Sequence, residues 1–133
     1  PVTPEAVLAV AAGAAVGAPV RFAVERWLGA AWPWGTWLVN VVGSAVLGVL
    51  VGLTTARPDT SALLVALVGV GFCGALTTFG GFAAQVLDLA GAPRDVATAR
   101  RAWRSLGYAL ASVGVCPAVA AAAYITTRSS LGR

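Results

Sequence analysis

Residues 69–82 read GVGFCGALTTFGGF, inside an apolar run from about residue 61 to residue 89. The stretch carries five glycines and two adjacent threonines. A helix in lipid satisfies its own backbone, so a Gly-rich interruption at membrane depth is tolerated only where protein or a polar cavity faces it. Half-helices that end inside a membrane expose carbonyl and N–H groups, and such ends mark ion and substrate sites. The expectation is a small membrane protein whose third span is broken at mid-membrane to handle an ion.

The composition agrees with a bilayer setting. Of 133 residues, 59% are hydrophobic and 11% charged, with mean hydropathy +0.85. Soluble domains carry about 25% charged residues, so the charge needed to solvate a surface is missing. Nine arginines stand against five acids, with no lysine and no histidine. The arginines flank apolar runs and do not form a patch with interleaved aromatics, which argues against nucleic-acid binding. Absent histidine removes the commonest acid–base group and transition-metal ligand. The two cysteines, Cys73 and Cys116, lie within apolar runs and read as small packing residues.

Four runs are long enough to cross about 30 Å of hydrocarbon at 1.5 Å per residue. The first, residues 6–24, contains Gly13 and Gly17, a pair that lets a neighbouring helix approach closely. Arg21 lies near its far end, as a snorkelling interfacial arginine or something more specific. Trp27, Trp32 and Trp34 follow and read as an interfacial aromatic belt. The second run, residues 35–55, carries Asn40, with Thr36 and Gly43 on the same helical face. An amide in hydrocarbon is costly unless partnered, so Asn40 is either inter-helix glue or part of a pathway. A turn around Pro58 leads to the third run. The fourth, about residues 106–127, holds Tyr108, Ser112 and Pro117 and follows a polar loop. The domain reading is one four-helix transmembrane unit over 1–133.

The arginines also bear on orientation. Arg21, Arg26, Arg94, Arg100, Arg101 and Arg104 flank one side, and Arg57, Arg128 and Arg133 the other. The positive-inside rule places the richer side in the cytoplasm and both termini outside, on a modest bias.

Gly69, Gly71 and Gly74 match a GxGxxG spacing, but no strand or soluble βαβ unit surrounds them. Ser44, Ser105 and Ser112 have no possible histidine partner; Ser44 and Ser105 read as hydroxyls bonded to their own helices. An enzyme is not expected. A proton-coupled small multidrug exporter would need a carboxylate deep in the first span, whereas Glu5 and Glu25 lie at its ends. The in-membrane polar set is Thr36, Asn40, Thr77, Thr78, Tyr108 and Ser112, beside Phe79 and Phe82. It contains no acid. Neutral donors and the electropositive edges of aromatic rings suit a small anion.

The motifs Gly35-Thr36-x-x-x-Asn40-x-x-Gly43 and Gly71-x-x-Gly74-x-x-Thr77-Thr78-Phe79-x-x-Phe82, in a four-span chain, resemble the Fluc/CrcB fluoride channels. Gly17-x-x-x-Arg21 and Tyr108-x-x-x-Ser112 are similar to that family as well, so the resemblance covers essentially the whole chain. It implies a passive, fluoride-selective channel in the bacterial inner membrane that exports fluoride, built as an antiparallel, dual-topology dimer. It further implies a fluoride pathway along Asn40, Phe79, Phe82, Tyr108 and Ser112, with Thr36 beside it. Arg21 would stand at an aqueous vestibule, and a structural sodium ion would sit at the dimer centre on the backbone carbonyls of Gly74 and Thr77.

The chain departs from the family pattern in span three. Gly80 and Gly81 replace a Ser-Thr pair, and Gln85 stands where a glutamate is expected. Some members of the family pair two unlike, oppositely inserted subunits, and these changes fit one half of such a pair. The alternative expectation is therefore a non-conducting or half-functional partner subunit, assembled with a paralogue rather than with a second copy of itself.

Overall fold

The computed structural model describes residues 3–28, 32–91 and 98–132, with the side chain of Thr98 excluded. Arg94 and Arg133, two of the arginines in the orientation argument, lie outside the described residues. Helix α1 is Pro4–Trp27 and α2 is Trp34–Ala56. Residues 62–76, here α3, join Ala62–Leu64 in α-form, Val65–Cys73 in π-form and Gly74–Leu76 in α-form. Phe79–Ala90 is α4, and Thr98–Leu131 is α5. All described elements are helical, and four stretches are long and apolar enough to cross a membrane.

Local chemistry accounts for the ends. Thr3 caps α1, its hydroxyl oxygen accepting from Ala6 N at 3.3 Å, with Pro4 preformed for the first turn. The turn at Pro58 closes through Thr60, whose N–H and hydroxyl both donate to Arg57 O, at 3.0 and 2.6 Å. At Gly91 the backbone takes φ 71°, a left-handed conformation that glycine adopts without a Cβ penalty, and α4 stops there. Residues 98–105, which the hydropathy pattern assigns to a loop, instead extend α5 by two turns beyond the apolar run.

Between α3 and α4 the backbone is extended at Thr77 (φ −81°, ψ 155°) and Thr78 (φ −148°, ψ 121°). Helical winding resumes at Phe79, capped by the Thr78 hydroxyl oxygen, which accepts from Gly81 N at 3.0 Å.

Glycine sets the inter-helix distances. A Cβ on Gly17 would stand 2.5 Å from Phe72 O, and one on Gly71 would stand 2.5 Å from Val10 O. Helices α1 and α3 therefore touch backbone to backbone, each supplying glycines to the other. On the opposite side α2 packs along α5, where a Cβ on Gly52 would meet Tyr124 O at 2.9 Å. The small core is Val39, Leu50, Leu76, Cys73, Tyr108 and Thr36. No more than 28% of any span's apolar window is buried, so most apolar surface faces outward, as a lipid-facing protein requires.

Replacing Gly71 by Val forces α1 and α3 apart. Overpacking of this kind costs about 1–3 kcal/mol. Thermal unfolding of the purified protein in detergent should show a clear fall in midpoint, and an unchanged midpoint would mean that the contact is not tight.

Candidate functional site: a cavity at the α3–α4 junction

The extended residues Thr77 and Thr78 remove helical hydrogen bonds, and side chains from other helices replace them. Thr78 N–H, which would close the helix onto Gly74 O, donates instead to Asn40 Oδ1 at 2.8 Å. The Asn40 amide returns a bond from Nδ2 to Thr78 O at 3.2 Å. One side-chain amide thus pairs with both backbone groups of one residue, as a neighbouring strand would. Thr77 turns back onto α3, its N–H and its hydroxyl both donating to Cys73 O, at 2.9 and 2.8 Å. Arg21 Nη1 reaches Thr77 O at 3.4 Å from α1. Gly43 lies one turn beyond Asn40 and packs against the Thr77 methyl, leaving no space for a side chain.

A cavity of about 380 Å³ opens beside this junction. Asn40, Gly74, Thr77, Phe79, Phe82 and Ser112 all line it, so six of the sequence-derived candidates share one space. Cys73 and Cys116, read from sequence as packing residues, line it too, as does Ser44, read as a hydroxyl bonded to its own helix. Ser112 Oγ is buried and has no hydrogen-bond partner among the described residues. A buried hydroxyl without a partner is unusual, and this one belongs to a residue that lines the cavity. Asn40 has one Nδ2 proton beyond the one given to Thr78 O. Among the lining residues there is no Asp, Glu, Lys or Arg.

Thr36 and Tyr108 are not part of the lining. Both are buried behind it in a hydrogen-bonded chain: Tyr108 Oη donates to Gln85 Oε1 at 2.9 Å. Gln85 Nε2 donates to Thr36 Oγ1 at 2.7 Å, and Thr36 Oγ1 donates to Glu25 Oε1 at 3.0 Å. The rings form a second line from the cavity. Phe79 and Phe82 have centroids 5.8 Å apart, Phe82 and Tyr108 5.6 Å, and Tyr108 meets Trp32 edge-on at 5.7 Å and 88°. Trp32, read from sequence as part of an interfacial belt, therefore packs on the fully buried Tyr108; Trp27 fits the belt better, at 82% exposed. Ser105 does not bond its own helix but donates to Val86 O of α4 at 2.7 Å, tying α5 to α4.

Known proteins share this arrangement's sequence. Residues 8–124 match the family described as "CrcB-like protein, Camphor Resistance (CrcB)". The chain belongs to the CrcB family. It is 38% identical over 109 residues to a Bordetella bronchiseptica protein named "Fluoride-specific ion channel FluC", covering 81% of this chain and 85% of that one. A Rhizobium etli protein of the same name is 38% identical over 110 residues, covering 80% and 88%. A Streptomyces avermitilis relative, "Fluoride-specific ion channel FluC 1", reaches 45% over 86 residues, covering 62% and 68%. CrcB membership and the four apolar helices together make this a multi-pass membrane protein, of a family whose named relatives are channels and not enzymes.

Asn40→Ala would strand both Thr78 backbone groups in an apolar setting, at about 1–3 kcal/mol for each unsatisfied group. The thermal midpoint in detergent should fall well beyond that of a lipid-facing control such as Val49→Ala. A fall no larger than the control's would show that Asn40 does not brace the junction.

Proposed function

We propose that this CrcB-family chain is a passive, fluoride-selective channel of a bacterial inner membrane that lets fluoride leave the cytoplasm. The carrying observation is the cavity beside Thr77 and Thr78, which Asn40, Ser112 and two phenylalanine rings line together without any acid. The names of the relatives supply the ion. A pore selective for a small, strongly hydrated anion must replace water with close donors and exclude larger anions by size. Amide and hydroxyl donors are short, and ring edges add positive potential without adding charge. No energy source enters this reading; flux follows the gradient.

The functional unit in this reading is an antiparallel dimer, with the third span broken at mid-membrane. Phe79 is 81% exposed although it lines the cavity. A ring in that position becomes a pore wall only when a second chain closes over it. The near-balanced arginine distribution is compatible with insertion in both orientations.

Sodium belongs to the same proposal. Thr78 N–H has left Gly74 O for Asn40, so the Gly74 carbonyl stands at the negative end of a half-helix, a setting that fits a hard cation. Thr77 O fits less fully, since Arg21 Nη1 already reaches it. Two carbonyls from one chain would be matched by two from a partner, and a cation held there would offset the exposed helix ends.

A second reading has its own observation. A Cβ added at Gly80 would meet nothing within 4 Å, so the hydroxyl missing at this position would have faced open space beside Phe79. That loss of a polar group favours a subunit whose own pore is disabled and which serves a paralogous partner.

Purified protein reconstituted alone into liposomes should pass fluoride rapidly and chloride negligibly. Flux of neither ion would overturn the homomeric channel and favour the partner reading. Asn40→Asp keeps an acceptor for Thr78 N–H but adds a negative charge to the cavity and removes the donor. It should abolish fluoride flux in a conducting subunit, whereas in a purely structural one the mixed dimer that still assembles should keep its flux.

A further inference from the structure

We propose that Glu25 fixes the direction of the hydrogen-bonded chain through Thr36, Gln85 and Tyr108, and so holds the Tyr108 proton away from the cavity. For the effect on ion flux, this inference rests on the channel reading above.

The direction follows from a count of protons. A carboxylate oxygen accepts and has no proton to give. Thr36 has a single hydroxyl proton, and it goes to Glu25 Oε1 at 3.0 Å. The Thr36 oxygen must then accept from its other neighbour, which selects the Nε2 side of the Gln85 amide at 2.7 Å. An amide so placed presents Oε1 on its far side, where Tyr108 Oη lies at 2.9 Å and donates. Each step leaves one choice for the next. The four residues come from α1, α2, α4 and α5, so one end group orders a line across the bundle.

Without Glu25 the line has no preferred direction. Thr36 could donate to Gln85, the amide could turn over, and Tyr108 would accept where it now donates. The Tyr108 proton would be released. Ser112 lies one helical turn on, on the same face of α5, with an unpartnered hydroxyl at the cavity wall. A freed Tyr108 proton could be donated to the Ser112 oxygen, which would fix where the Ser112 proton points and reset which donors face the cavity. Glu25 is thus a positioning residue, acting through three others on a space it does not touch.

The geometry permits a clean test. Gly35 packs against the Glu25 backbone, a Cβ there falling 2.5 Å from Glu25 Cα, so shortening the Glu25 side chain leaves that contact intact. The chain has two tyrosines. Tyr124, whose hydroxyl accepts from Arg128 at 3.3 Å at the end of α5, can be replaced by Phe to leave Tyr108 alone. The phenol C–O stretch of Tyr108, read by infrared spectroscopy, shifts in opposite senses when the hydroxyl donates or accepts. In the Tyr124→Phe protein, Glu25→Ala should move that band toward the accepting position. Thr36→Val, which breaks the chain one step later, should do the same, and the double variant should add nothing further. In liposomes each of the three should cut fluoride flux to a similar degree, about tenfold by analogy with the loss of outer groups that orient metal ligands.

An unmoved band in Glu25→Ala would overturn the inference, as would additive effects in the double variant. The infrared arm needs no ion flux. If the unaltered protein passes no fluoride, the channel reading fails, and the band still decides whether Glu25 orders the chain.

Discussion

The structure depends on one exchange: the backbone N–H and C=O of Thr78 give up their helical bonds and take the Asn40 amide in their place. In water such a break could be solvated. In hydrocarbon each orphaned backbone group would cost several kcal/mol, so the chain can be extended at Thr77 and Thr78 only because a neighbouring helix offers a donor and an acceptor at the right separation. Asparagine is suited to this, since its amide reproduces the two complementary groups of a peptide. The threonines complete the repair from their own side chains, Thr77 back onto Cys73 and Thr78 forward onto Gly81.

Everything that brings Asn40 within reach is a matter of small residues. Gly43 admits the Thr77 methyl one turn from Asn40, and Gly17 and Gly71 let α1 lie directly on α3, which brings Arg21 to Thr77 O. The π-wound segment Val65–Cys73 lies on the same contact, where side chains are too small to specify regular packing and backbone complementarity takes over. Close packing on one flank leaves space on the other. The cavity opens between α2, α3, α4 and α5 because α1 has drawn α3 to its own side.

Much of this was legible in the chain, and the rest failed for identifiable reasons. The four spans follow from hydropathy, which is a local property, and their bounds agree within a few residues except at the start of α5. There the arginine-rich residues 100–104 look like a loop by charge but are wound as helix. Asn40 stood out because an amide in an apolar run demands a partner, though sequence left open whether it braces or conducts. Its partner, 38 residues away, could not be read from any local pattern. The same distance problem hid Glu25, which looks like an ordinary helix-end acid until Thr36 is seen donating to it. It also hid Trp32, whose aromatic character suits an interface and a buried ring stack equally. Ser105 was misread because a hydroxyl on a helix usually has its own carbonyls nearest, and here Val86 O is better placed. The family resemblance gathered candidates that physics alone would have left scattered. Even so, the structure divides them into a set lining the cavity, a pair, Thr36 and Tyr108, standing behind it, and Arg21, which reaches Thr77 O from α1.

That division carries an electrostatic consequence. The lining holds no formal charge, while the two charged groups nearest in the network, Arg21 and Glu25, approach from α1 and stop one bonded partner or more short of it. Direct charge in a low-dielectric space would either trap an anion or bar it, because the interaction at a few ångströms is many times the thermal energy. Charges held behind neutral groups act more weakly and with direction, by deciding which way hydroxyls and amides point. A passage for a small anion needs binding firm enough to replace water and loose enough to release. Neutral donors whose orientation is set from outside the cavity meet both demands, and a carboxylate suits the outer role only because Thr36 and Gln85 stand between it and the cavity.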